Sequence, residues 1–130
     1  MVKSVGTLHY NLDVSTDHQL VVKVDQGIVD VARALVPKHI RLNRQKYEPH
    51  ITVIRKEVPQ HGPWGLHHDK PVEFEFDSYV FNDDTYFWLR AFSPQLIEIR
   101  KELGLPDYSW AARGPDGFDS FHITIGNTKS

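Results

Sequence analysis

His50-Ile51-Thr52-Val53-Ile54-Arg55 and Phe121-His122-Ile123-Thr124-Ile125 repeat one pattern, histidine, isoleucine, threonine and then a β-branched residue. Such residues favour strands, and successive strand side chains point to opposite faces. His50 and Thr52 therefore share one face while Ile51 and Val53 take the other, and the same holds for His122 and Thr124 against Ile123 and Ile125. Each copy places an imidazole and a hydroxyl, about 7 Å apart, on a polar face whose reverse is anchored in the core.

Working outward, each copy closes a similar run of elements. Residues 5–14 alternate, with Leu8, Tyr10, Leu12 and Val14 on one side, and predict a strand. Residues 20–24 are a second short strand. Asp25 is placed to cap a helix over 26–36, where Ile28, Val29, Ala32, Leu35 and Val36 recur at helical spacing until Pro37. The second half begins after a Pro/Gly-rich loop over residues 58–71. Residues 71–81 and 85–92 alternate around Asn82-Asp83-Asp84 and predict a hairpin. Pro94 opens and Gly104 ends a second helix, and residues 121–125 form the last strand.

The order strand, strand, helix, His-x-Thr strand thus occurs twice, over halves of about 1–58 and 71–130. A chain of 130 residues holds one core, so both halves belong to a single domain over 1–130. The formal charge of −2 excludes a global basic field that would wrap long nucleic acid. With no cysteine, disulfide frameworks, thiolate catalysis and Cys-rich zinc sites are excluded. Neither a signal peptide nor a membrane span is visible, so a soluble cytoplasmic protein is expected, taken as a monomer.

If the halves are related by a pseudo-two-fold axis, the two polar pairs converge. A phosphodiester at that point meets two hydroxyl donors and an imidazole on each side of phosphorus, one to take the nucleophile's proton and one to protonate the leaving oxygen. An ordinary pKa near 6.5 suits histidine to both roles. No metal or cofactor is expected. His61, His67 and His68 crowd one loop without any known ligand spacing.

His50-Ile51-Thr52-Val53 and His122-Ile123-Thr124-Ile125 resemble the two signature motifs of the 2H phosphoesterase superfamily, which includes LigT-like RNA cyclic phosphodiesterases, 2',5'-phosphodiesterases and phage anti-CBASS nucleases. The resemblance implies that His50 and His122 are the acid/base pair and that Thr52 and Thr124 bind phosphate. It implies a bilobal α+β fold, two pseudo-symmetric halves of antiparallel sheet with outer helices around a central cleft. The short chain looks more like the compact viral members, which points to cyclic oligonucleotide signals as substrate, in a host cytoplasm if the chain is viral. RNA 2',3'-cyclic phosphate ends or 2',5' linkages are the nearest competitor.

Three further residues are candidates for substrate binding. Tyr10 lies on a first strand expected to border the cleft, placed to stack on a base, although Leu8 and Leu12 beside it favour the core. Trp88 and Arg90 share a hairpin face with Tyr86 and are placed to stack on a base and pair with phosphate. Trp64, Tyr108, Trp110 and Arg113 lie in loops within reach of a ligand, and Gly126 follows the second motif where a missing side chain permits close approach. The different class is a non-catalytic RNA- or nucleotide-binding module. It gives no reason for two acid/base residues flanking one phosphate.

Overall fold

The computed structural model describes residues 1–12 and 17–129. In chain order they form β1 (Val2–Tyr10), β2 (Gln19–Lys23), α1 (Gln26–Ala34), β3 (His50–Arg55), β4 (Pro71–Asn82), β5 (Tyr86–Phe92), α2 (Pro94–Glu102), a 3₁₀ turn at Trp110–Ala112, and β6 (Phe121–Asn127). The first strand starts earlier than its alternation suggests, at Val2, and ends at Tyr10. Leu12 lies beyond it, exposed, and Val14 falls outside the described residues.

The strands close into one antiparallel barrel in the order β1-β2-β3-β6-β5-β4. This overturns the bilobal α+β expectation. Two lobes would meet only along β3 and β6, but β1 also pairs with β4 over six residue pairs, from Val2↔Phe76 to Thr7↔Pro71. That second seam joins the halves into a single, mostly β structure with two short helices. Gly6 sits in the seam opposite Val72, where a side chain would collide with Val22 and the Lys23 carbonyl.

The core is apolar and shared by all six strands, with Leu20, Val22, Ile51, Ile54, Ala91, Ile123 and Ile125 at 0% exposure. Burying a valine, leucine or isoleucine side chain contributes about 1.5–3 kcal/mol. α1 buries Val29 and Ala32, and α2 buries Leu96 and Ile99. Ser93 caps α2 by accepting from the Leu96 amide at 3.3 Å, and Pro94 stands in its first turn. Gly104, at φ 76°, ends it in the left-handed region that glycine adopts without cost. Asp25 occupies the N-cap position of α1, but its side chain makes no capping hydrogen bond.

Both motif strands carry a bulge at the same place. Along β3, Thr52 pairs with Val21 but Ile54 with Leu20, which makes Val53 the extra residue. Along β6, Thr124 pairs with Trp88 but Gly126 with Phe87, which makes Ile125 the extra residue. A bulge interrupts alternation. Hence Val53 and Ile54 are both buried, as are Ile125 and Gly126.

Candidate functional site

Ile51 and Ile123 are Cα partners in the antiparallel β3·β6 pair. Counting outward from that pair sets His50 across from Thr124 and Thr52 across from His122. All four are half-buried on the face opposite the isoleucines, and all four line one cleft of about 1550 Å³. Ordinary small-molecule sites span about 300–1,000 Å³, so this cleft has room for more than a mononucleotide. Although the chain is net negative, seven Lys/Arg and only three carboxylates line the cleft. Positive charge is gathered locally, as an anionic ligand requires.

The two histidines have different surroundings. His50 Nδ1 lies 2.7 Å from the carbonyl oxygen of Glu48. A carbonyl only accepts, so Nδ1 carries the proton and Nε2 holds the lone pair in the neutral ring. His122 is pushed below the ordinary histidine value, first by burial and further by the Arg90 guanidinium, with the Ala112 backbone and Asp83 opposing. Its Nε2 is buried and, among the described residues, has no hydrogen-bond partner. An unpartnered buried polar atom costs about 1–3 kcal/mol, and catalytic groups are among the few that keep such a cost.

Trp88 lines the cleft, yet its ring is already used. It stacks on His122 with centroids 5.0 Å apart at 25°, and on Phe81 at 6.5 Å and 22°. Phe81 is on the neighbouring strand β4 and His122 on β6, so the indole lies between them. No free face is left for the nucleobase expected there. Arg90 is also committed elsewhere. It pairs with Asp116, lies 3.9 Å over the Phe81 ring and does not line the cleft, which corrects its expected phosphate role.

Tyr10 is a core residue rather than a stacking platform. It is 2% exposed, packs edge-on against Trp64 at 5.0 Å, and is absent from the cleft wall. The core preference of its neighbour Leu8 prevailed. Gly126 admits the protein's own chain instead of a ligand. A Cβ there would lie 2.6 Å from the Asn43 carbonyl and 2.7 Å from Arg33 Nη1.

The free aromatic surface lies at the rim, on Tyr47 and Trp110, 70% and 83% exposed. Trp110 is among the loop aromatics that the sequence places within reach of a ligand, whereas Tyr47, between Lys46 and Glu48 just before His50, belongs to no motif or alternation that marks it. Lys23, Arg55 and Lys56 also line the cleft, and among the described residues none of them is ion-paired. The signal for Lys23 and Arg55 was their place at the ends of strands beside the first motif.

Away from the cleft, His9, His68 and Asp69 bring ligand-type atoms within 4.8 Å of one another. His68 Nδ1 accepts from the Tyr10 amide at 3.1 Å, so its only neutral lone pair is taken. That hydrogen bond opposes metal binding there. No helix among the described residues is long and apolar enough to cross a membrane. Comparison with protein-family models, characterised proteins and solved structures finds no match for this chain.

Proposed function

We propose that this chain is a phosphodiesterase that cleaves nucleotide phosphodiester bonds by paired histidine acid–base catalysis without metal. The observation that carries the reading is the antiparallel register of the two His-x-Thr strands, which gives each histidine the other motif's threonine as its cross-strand neighbour inside a cationic cleft. A phosphate between the strands receives hydrogen bonds from the Thr52 and Thr124 hydroxyls, while the imidazoles act on its two sides. His122, held neutral by burial and by Arg90, is the base. His50 takes the acid's part, its ring oriented by the hydrogen bond from Nδ1 to the Glu48 carbonyl.

The substrate class we favour is a cyclic oligonucleotide signal met in the cytoplasm, host cytoplasm if the chain is viral, as the likeness to the anti-CBASS branch of the 2H phosphoesterases suggests. The cleft's size and its excess of cations support a ligand with more than one phosphate. The test is a product screen. Cyclic di- and trinucleotides, 2',5'-linked oligoadenylate and RNA with 2',3'-cyclic phosphate ends are each incubated with the protein in EDTA and read by mass spectrometry. Cleavage of a cyclic oligonucleotide that is lost in His122→Ala supports the proposal. Binding without turnover of any of the four would favour a nucleotide-binding module.

A further inference from the structure

At each bulge that follows a motif threonine, the carbonyl of the extra residue accepts from an arginine on a helix in the other half of the chain. Arg100, on α2, donates Nη1–H to the Val53 carbonyl of β3 at 2.7 Å. Arg33, on α1, donates Nη1–H to the Ile125 carbonyl of β6 at 2.8 Å. Val53 and Ile125 hold the same place in the two motifs, one residue after the threonine. The helix preceding each motif therefore braces the other motif, and the two braces are reciprocal.

We infer that Arg33 and Arg100 are positioning residues that hold the two bulges, and through them set the aim of Thr52, Thr124 and the histidines. A bulged residue bends its strand and re-aims the side chains beside it, and a buried carbonyl without a donor is costly enough to drive rearrangement. A guanidinium fork supplies several donors in one plane, which a lysine does not. Arg100 is fully buried and uses its remaining donors on both Glu57 oxygens, at 2.8 and 2.7 Å, and on the Pro106 carbonyl at 2.7 Å. Arg33 uses its own on the Leu42 and Asn43 carbonyls, at 2.8 and 3.2 Å. Both arginines thus tie a loop, a helix and a motif strand at one point.

The inference rests on the proposed phosphodiesterase for its catalytic consequence, but the brace itself is testable without substrate. Removing Arg100 strands the partly buried Glu57 carboxylate, so the informative change is Arg33→Met, which keeps the apolar stem, compared with Arg33→Lys. Amide hydrogen exchange of Arg33→Met should quicken at least tenfold at Thr124 and Gly126, with Leu8 and Val22 unchanged. On the substrate found in the product screen, kcat should fall about tenfold or more with KM within threefold. Added guanidinium ion should restore part of the loss, and Arg33→Lys should fall between the two. Unchanged exchange in β6 would overturn the brace whatever the activity. If exchange rises but kcat is unaffected while His122→Ala is inactive, Arg33 supports the fold and does not position the site. If His50→Ala and His122→Ala are themselves fully active, the functional reading fails and the exchange data alone decide the brace.

Discussion

Thr52 of the first motif is set across the ladder from His122 of the second, because Ile51 and Ile123 are partners in the same antiparallel pair. Neither motif is thus a complete site. His50→Ala and His122→Ala should each lower turnover by roughly 10² to 10⁴, as expected for loss of a proton-transfer partner. Thr52→Val and Thr124→Val should cost less. In a double-mutant cycle, Thr52 should couple more strongly to His122 than to His50. Equal coupling to both would show that the ladder register does not organise the chemistry.

Trp88 tests whether the indole serves the substrate or the histidine. With His122 on one side and Phe81 on the other, its loss should let the His122 ring tilt without removing a base-binding face. Trp88→Leu is therefore expected to lower kcat several-fold with little change in KM, and Trp88→Phe to recover part of it. A raised KM with unchanged kcat is the signature of lost uniform binding, and it would return Trp88 to the substrate.

The motif strands were legible because β-branched residues alternate with His and Thr, so one face was necessarily apolar. Pro94 and Gly104 marked the second helix for reasons of backbone geometry that hold without tertiary context. The closing seam was not legible. Pairing of Val2 with Phe76 joins segments far apart in the chain and leaves no periodic trace in either. The bulges were hidden too, since Val53-Ile54 is indistinguishable from an ordinary strand continuing and the last strand was expected to end at Ile125, before the bulge is complete. Without the bulges in view, nothing in the sequence marks Arg33 or Arg100 apart from other charged helix positions, because the carbonyls they serve lie 92 and 47 residues away. Tyr10 failed differently, because alternation gives its face and does not say which side of the sheet the cleft occupies.

Tyr10→Phe separates a core tyrosine from a substrate-stacking one. Burial, the largest cause, pushes its phenol up to about 12. Turnover should stay within twofold of wild type. A folded-state value above the unfolded one near 10 means that this group's contribution is intact below pH 10 and lost as pH rises through about 12. Alkaline melts should therefore show wild type losing stability across that window faster than Tyr10→Phe. Parallel melts would indicate a solvated phenol.

His122 gives the opposite pH signature. Its folded-state value is depressed by burial and by Arg90, so above the unfolded value near 6.5 the neutral ring is tolerated and its contribution is complete. As pH falls through the depressed folded-state value, the unfolded chain takes up the proton more readily and stability is lost. Thermal melts from pH 7.5 to pH 5 should drop more steeply for wild type than for His122→Gln. A steeper drop in the variant would mean that the ring is charged in the folded protein.

The reaction course is the final question, and the cleft contains two competing answers. Glu48, Asp83 and Asp84 line it together with the histidines, and a carboxylate placed near phosphorus activates water without help from the sugar. A ribose 2'-hydroxyl, by contrast, is already beside the 3'-phosphate. His122 then needs only to remove its proton while His50 protonates the departing 5'-oxygen, with intramolecular proximity supplying much of the rate. On the histidine route, a 3',5'-linked cyclic oligonucleotide opens through a 2',3'-cyclic phosphate that mass spectrometry detects as product or intermediate. Replacing the 2'-hydroxyl by hydrogen at one linkage should abolish cleavage there and leave the other linkages cleaved. Rapid hydrolysis of a fully 2'-deoxy cyclic dinucleotide would instead assign the nucleophile to water, with one of the three carboxylates as the first candidate to have activated it.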